Sequence, residues 1–441
     1  MAPVVPTPKV AAETYATKHP DPTPPPSRSR SLKSDHAWAK AIAGEMAIMV
    51  AGDLTYYKIF GPYSRWLDKW DEDAWKKRFD PKTFKFDANE HEINAGGHVI
   101  GGWAYFLVQE LAFRSRDKAK KRELLDEVIH ELRGFGFTFA TSAFWELFVE
   151  EGAPSLNDQI VTPIAGYSGG KAIARFIGYL LDGEDLPHTF EAGVSVFDDG
   201  SASVHGHAEI IDGRRSSELR IDAAFDRGGL KSGNVFTKTH IAGAGFMTGG
   251  LRLWGGVSSA YDYTRVEARG VEPVDKFAVV EIINATGDAE YTRGRFRAHA
   301  QLDLGLLDFG MAQGLAWDEE KGVRDSSLKT KPTLEKFGYA FYGGNTIRPA
   351  LTLGFGGLEI SGRATYHTLD SIEGQSRSQA GIVDDTDLKD TALTLELGAS
   401  YRYDHFKFSA GYKGRWRSGT AGTSSDTHST SAFGLGFDYV F

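Results

Sequence analysis

Hydrophobic positions along this chain follow two different periods, and the change between them divides it. From Ser34 to about Leu181 apolar residues recur every three or four positions, the spacing of a helical face. About five helices are expected there. The first starts at a Ser34-Asp35 cap and sets Ala39, Ala43, Ala47 and Ala51 in one row, small side chains that let another helix approach closely. Residues 121 to 133 are amphipathic, with Leu124, Leu125, Val128, Ile129 and Leu132 on one side. Segments 97 to 113, 137 to 150 and 164 to 181 are more apolar, carry Trp103, Tyr105, Phe106, Phe144, Trp145, Phe148 and Tyr179, and are expected to be more buried.

From about His188 the period becomes two. Leu393, Leu395, Leu397, Ala399, Tyr401 and Tyr403 alternate with Thr394, Glu396, Gly398, Ser400 and Arg402, and Phe406, Phe408, Ala410, Tyr412 and Trp416 alternate with polar, small or basic residues. Similar dyads run through 219 to 225, 251 to 263, 295 to 306 and 358 to 367. Aromatics collect at strand ends, where membrane interfaces would lie, while the opposite face carries Glu218, Arg220, Asp222, Arg295, Arg297, Asp303, Glu359 and Arg363, charges suited to an enclosed watery lumen. The predicted fold is an α+β membrane protein: an N-terminal helical domain, then an antiparallel transmembrane β-barrel of about twelve strands. The alternative is a soluble all-β domain with one wet face, since antiparallel sheets alternate there too. The expected boundaries are 1–33 for a leader, 34–187 for a helical periplasmic cap or plug, and 188–441 for the barrel. Long polar loops are expected around 312 to 336, 369 to 390 and 418 to 430, with tight turns at Phe355-Gly356-Gly357 and Asp404-His405.

Composition narrows the choice. The chain has 441 residues and no cysteine, which removes a disulfide scaffold and every thiol-based site. With 50 Lys+Arg against 59 Asp+Glu, net charge −9, a nucleic-acid partner is not expected. Mean hydropathy is −0.32. No apolar run approaches the roughly 20 residues a spanning helix needs, which excludes a polytopic helical membrane protein. Half of the 16 prolines precede residue 27, so residues 1–33 are read as a disordered or extended leader. No secretory signal stands there; an exported form would be the mature chain, with Met1 an added initiator.

Several residues could carry chemistry. Glu146 and Glu150 share a helical face, Glu151 is adjacent, and Asn157-Asp158 follow the Pro154 turn. With His98 they form a candidate catalytic set, His98, Glu146, Glu150 and Asp158, in which a histidine and carboxylates on apolar helices supply general acid/base groups. The competing reading is structural, with Asn157 and Asp158 capping a helix that starts near residue 159. Ser142 or Ser155 would be a nucleophile only if folding brought it beside His98. His205, His207 and Glu209 fall on one face of a strand and are a candidate metal set against a plain polar lining. Gly166 to Ala172 resembles a phosphate-binding loop but lacks the register and the magnesium-binding hydroxyl, so no nucleotide and no cofactor is expected.

Five motifs carry a family resemblance: Asn94-Ala95-Gly96-Gly97-His98, Gly102-Trp103-Ala104-Tyr105, Ser142-Ala143-Phe144-Trp145-Glu146, Pro154-Ser155-Leu156-Asn157-Asp158, and Thr162-Pro163-Ile164-Ala165-Gly166. Together they resemble an uncharacterised family of bacterial outer-membrane proteins known only by a domain-of-unknown-function label, over about residues 84 to 180. Val99 stands where that family commonly has proline, and Gly169-Gly170-Lys171 where it has Gly-Glu. The last strand, Ser431 to Phe441, puts Phe433, Leu435, Phe437, Tyr439 and Phe441 on one face and resembles the terminal strand of bacterial outer-membrane barrels. The resemblance implies a place in the bacterial outer membrane, with outer-membrane lipid as partner. The expected role is structural or permeation-related, the helices limiting access to a charged lumen. One alternative is a lipid-acting hydrolase at the membrane interface using His98 with Glu146, Glu150 or Asp158. Another is a surface binding protein working through long loops.

Overall fold

The computed structural model describes residues 36–60, 91–117, 124–149, 154–182, 188–312 and 339–440, with short internal gaps, and a few single positions between 76 and 86. The leader, the Ser34-Asp35 cap, Glu150, Glu151, Phe441 and the predicted loop at 313–336 lie outside the described residues. Among the described residues four α-helices of 20 to 25 residues come first: α1 (Ala37–Phe60), α2 (His98–Asp117), α3 (Leu124–Phe144) and α4 (Asp158–Asp182). Single π-helical turns, Ile93–Gly97 and Trp145–Val149, precede α2 and follow α3.

The strands are β1 (His188–Phe197), β2 (Ala202–Asp212), β3 (Arg215–Asp226), β4 (Gly229–Thr248), β5 (Leu251–Glu267), β6 (Pro273–Arg293), β7 (Phe296–Ala312), β8 (Tyr339–Phe355), β9 (Leu358–Ser378), β10 (Gly381–Val383), β11 (Leu388–Tyr403), β12 (Phe406–Ala421) and β13 (Ser424–Val440). All pair antiparallel with their ring neighbours, β1 pairs with β13, and β8 pairs with β9, so the wall closes. The three-residue β10 only extends the end of β9, which leaves a closed barrel of twelve strands. Closure removes sheet edges, a requirement for strands surrounded by hydrocarbon.

Alternation assigns the two faces. Ile221, Phe246, Leu304, Leu353, Leu397 and Leu435 are exposed, and their strand neighbours Asp222, Asp303, Glu396 and Gly436 face the other way. That second face is the inside, because its side chains meet across the ring. Arg363 on β9 reaches Glu218 on β3 at 3.7 Å, and Lys413 on β12 reaches Asp222 on β3 at 3.5 Å, between strands that are not neighbours. The greasy face therefore points outward and the ionic face inward, and the sandwich alternative is excluded. This is an outer-membrane-type barrel.

Three local expectations are corrected. Residues 418–421 and 424–430 belong to paired strands, with Ala421 opposite Ser424, in place of the expected long loop. Much of 369–390 continues β9 and β11. Arg295 is exposed in the two-residue turn between β6 and β7, beside Gly294 with φ 61°, and does not line the lumen; without an Asn-Gly pair this turn does not stand out from the strand pattern around it.

The helices pack on the outward side of the wall, not in the lumen. Ser168 of α4 bonds the Thr237 hydroxyl at 2.8 Å and its carbonyl accepts from Thr239 at 2.9 Å, while Arg175 donates to Ser217 at 2.9 Å. These strand residues alternate with the lumenal Lys238 and Glu218. Further along, Ala95, Val99, Val161, Ile164 and Ala165 form one apolar core with Tyr261, Ala278, Val280, Phe309, Met311 and Phe341. Those barrel residues alternate with Asp262, Val279 and Tyr342, whose face is the lumenal one. The sequence leaves open whether the helices cap or plug the barrel; the contacts of α4 and of the turn before α2 are with the outer face of the wall.

Candidate functional site

Two constellations emerge. The first lies in the helical layer and gathers most of the motif residues. Asp158 opens α4, and Asn157 offers its carbonyl to the amides of Ile160 and Val161 at 3.0 and 2.7 Å. Before that turn, the Ser155 hydroxyl donates to Asn157 Oδ1 at 2.7 Å, and Asn157 Nδ2 donates to Asp158 Oδ1 at 2.8 Å. Glu146, in the π-helical turn after α3, accepts from the Ser155 amide at 2.8 Å. Arg78 closes that turn by donating to the Glu146 and Leu147 carbonyls, each at 3.2 Å. His98, first residue of α2, places Nε2 3.2 Å from Asp158 Oδ1. One chain of contacts thus links His98, Asp158, Asn157, Ser155 and Glu146, all but His98 deeply buried.

Chemically, the pair sets the His98 imidazole beside the buried Asp158 carboxylate, the two kinds of group from which general acid–base chemistry is built. The serines are otherwise engaged. Ser142 donates to the Asp158 carbonyl at 3.3 Å and Ser155 to Asn157, so both hydroxyl protons are committed to the start of α4. Asn94 is buried in the π-helical turn before His98. Gly102 and Gly166 make the α2–α4 crossing: a methyl on Gly166 would sit 2.6 Å from the Gly102 backbone, so only glycine permits the approach. Trp103 donates to the Ala165 carbonyl at 3.0 Å. Thr162 is buried beside Pro163, which α4 carries in its interior.

Next to this network the helices hold a buried charge cluster. Lys171 of α4 pairs with Glu131 of α3, whose other oxygen accepts from Tyr167 at 2.5 Å. His130 lies 3.3 Å from Glu110 of α2.

The second constellation is the lumen. Lys238 on β4 donates to Asp303 on β7 at 2.6 Å, and Arg348 on β8 donates to Glu281 on β6 at 3.0 Å while covering the Phe236 ring on β4 at 4.7 Å. Toward the end with the longer connections, Arg417 bonds Asp390 at 2.8 Å and Phe277, Val279, Tyr342, Leu369 and Leu388 form an apolar cluster. Glu218 pairs with Arg220 and Arg363, Arg297 with Glu290 at 3.1 Å, and Glu359 is half-buried on the same face. The sequence reading missed Lys238, Asp262, Glu281 and Arg348, the middle of this set. Their signal was charge on the parity opposite Tyr261, Val280 and Ile347, hidden by bulges on β4, β5 and β6 that break a simple alternation.

The predicted metal set does not come together. His205 contacts Asp438 at 2.5 Å and His207 contacts Glu218 at 3.4 Å, so each imidazole has its own carboxylate. Among the described residues no three His, Asp or Glu side chains converge on one point.

Comparison with known proteins bears on the helices more than on the barrel. No curated protein matches the chain. Solved structures that it is similar to include the ferric preacinetobactin receptor BauA from Acinetobacter baumannii (12% identity, TM-score 0.22, 56% of this chain and 44% of that one). The copper transporter OprC gives 10% identity, TM-score 0.25, and 58% and 42% coverage. The Pseudomonas putida toluene transporter TodX gives 9% identity, TM-score 0.23, and 58% and 89% coverage. The chain spans less than half the length of the first two, and at these scores none adds to the argument from register and burial. Residues 83–194, from before α2 into β1, match the family model described as "Domain of unknown function (DUF3943)", and over that stretch the chain resembles that uncharacterised family.

Proposed function

We propose that this protein resides in the bacterial outer membrane as a barrel closed to solutes at rest, with a structural role: residues 188–441 form a scaffold against which residues 34–187 are held. The observation that carries this is the set of bridges across the lumen, Lys238–Asp303, Arg348 over Phe236, Arg363–Glu218 and Lys413–Asp222. A wide porin keeps its charges on the wall and leaves water between them; here opposite walls touch. Purified protein in planar bilayers is expected to be electrically silent, and Lys238→Ser with Arg348→Ser to introduce conductance. Steady open channels from the unaltered protein would overturn the proposal.

A second reading has one specific observation in its favour, the His98–Asp158 pair beside a lipid-facing wall. A lipid-acting hydrolase would lose its product on His98→Ala while keeping a folded barrel. Unchanged lipid composition in cells carrying that variant would remove this reading.

A further inference from the structure

The helical layer is inside out compared with a water-soluble helical domain. On α3 the exposed positions between 129 and 144 are Ile129, Leu132, Phe135, Gly136, Phe139, Ala140 and Phe144, every one apolar or glycine. Its buried positions include His130, Glu131, Thr138, Thr141 and Ser142. On α1 the exposed face holds two rows four residues apart, Trp38-Ile42-Met46-Val50 and Ala39-Ala43-Ala47-Ala51, with Lys40 the only exposed charge among residues 37–51. Glu45 points the other way and is buried, neither oxygen hydrogen-bonded among the described residues. In water this arrangement loses twice, exposing grease and desolvating charge. In hydrocarbon it is the stable one, because the apolar faces then meet acyl chains while inward groups such as Glu131, Lys171 and Tyr167 satisfy each other.

Position decides which apolar medium is meant. On β4 the positions that α4 covers, Thr237 and Thr239, lie between Leu230 and Phe246, both exposed and apolar on the same outer face. On β3, covered Ser217 is followed by exposed Ile221 and Phe225. The helices therefore sit at the level of the barrel's own greasy band. α1 packs on α2 and both it and α3 turn their apolar faces away from the wall. No described helix is long and apolar enough to cross a membrane alone, which agrees with helices that use the barrel wall as their polar partner.

We infer that the helical layer is a lipid-embedded collar on the outside of the barrel, and that the α1 face Trp38-Ile42-Met46-Val50 and the α3 face Ile129-Leu132-Phe139 contact fatty acyl chains. The collar rests on the barrel being in a bilayer.

The chain's lack of cysteine makes the test simple. Bimane is attached in the full chain at Ile42→Cys, at Leu132→Cys, at the lipid-facing reference Leu353→Cys and at the aqueous reference Asp404→Cys, and each is reconstituted in phosphatidylcholine vesicles with or without brominated acyl chains. Retention of heat-modifiable migration selects folded samples, and two collar positions guard against one failing to fold. The expected result is a loss of emission at 42 and 132 matching that at 353, with little loss at 404. Quenching of 42 and 132 by aqueous iodide, as at 404, would overturn the inference and place the helices in water. Protection from both quenchers, with copies cross-linking through Ala43→Cys, would overturn it in favour of a second chain on this face. If 353 itself escaped bromine, the barrel reading would fall, an outcome distinct from failure of the collar alone.

Discussion

The outer face of β11–β13 and the outer face of β3–β5 are built on one backbone pattern, yet they carry different side chains. Along β13 the outward residues Phe433, Leu435, Phe437 and Tyr439 are large, apolar and exposed. Along β3 and β4 the outward row includes Ser217, Thr237 and Thr239, all buried, with Thr237 0% exposed. The first section is left exposed, whereas α4 covers the second and answers its hydroxyls one by one. The difference teaches that a polar gap in a barrel's greasy row marks where another element docks, since an unanswered hydroxyl facing hydrocarbon is costly.

The comparison can be broken most severely from the covered side. Lys171→Met strands the Glu131 carboxylate among helices, and a broken buried pair costs about 3–5 kcal/mol. Limited proteolysis should then release the helical segment while the barrel still shows heat-modifiable migration. The double change Lys171→Met with Glu131→Leu should restore most of the resistance.

On the bare side, Leu435→Arg sets a charge on an outward position that is 58% exposed. The expected destabilisation is about 2–4 kcal/mol in lipid, read by denaturant unfolding, because depth in the bilayer sets the cost. Serine at Leu219, by contrast, would face α4 and should be tolerated far better.

The period of two was enough to read the barrel, because a strand facing lipid on one side and ions on the other leaves no other place for either kind of residue. Leu393–Tyr403 and Ser431–Phe441 announce their faces directly, and Glu218, Asp303 and Arg363 stand on the lumenal side. Asp404 in its turn, with φ 57°, was legible as a tight connection for the same reason. The helices were legible as helices but not as a collar. A period of 3.6 reports that one face differs from the other, and only the surroundings say which face turns inward; the Ala39–Ala51 row, read as a docking face, is exposed. His98, Glu146 and Asp158 were legible as a set from their residue types, but the contacts that join them through Ser155 and Asn157, and the Gly102–Gly166 approach of α2 to α4, are encoded in no local spacing.

The account depends above all on the direction of the strand faces. Nitroxide labels placed one at a time from 433 to 438 on β13, in reconstituted vesicles, read that direction through their collisions with oxygen and with a nickel chelate. Positions 433, 435 and 437 should favour oxygen strongly, and 434, 436 and 438 should not. Equal accessibility at both sets, or shielding of the odd set from lipid and water alike, would contradict the barrel and everything built on it.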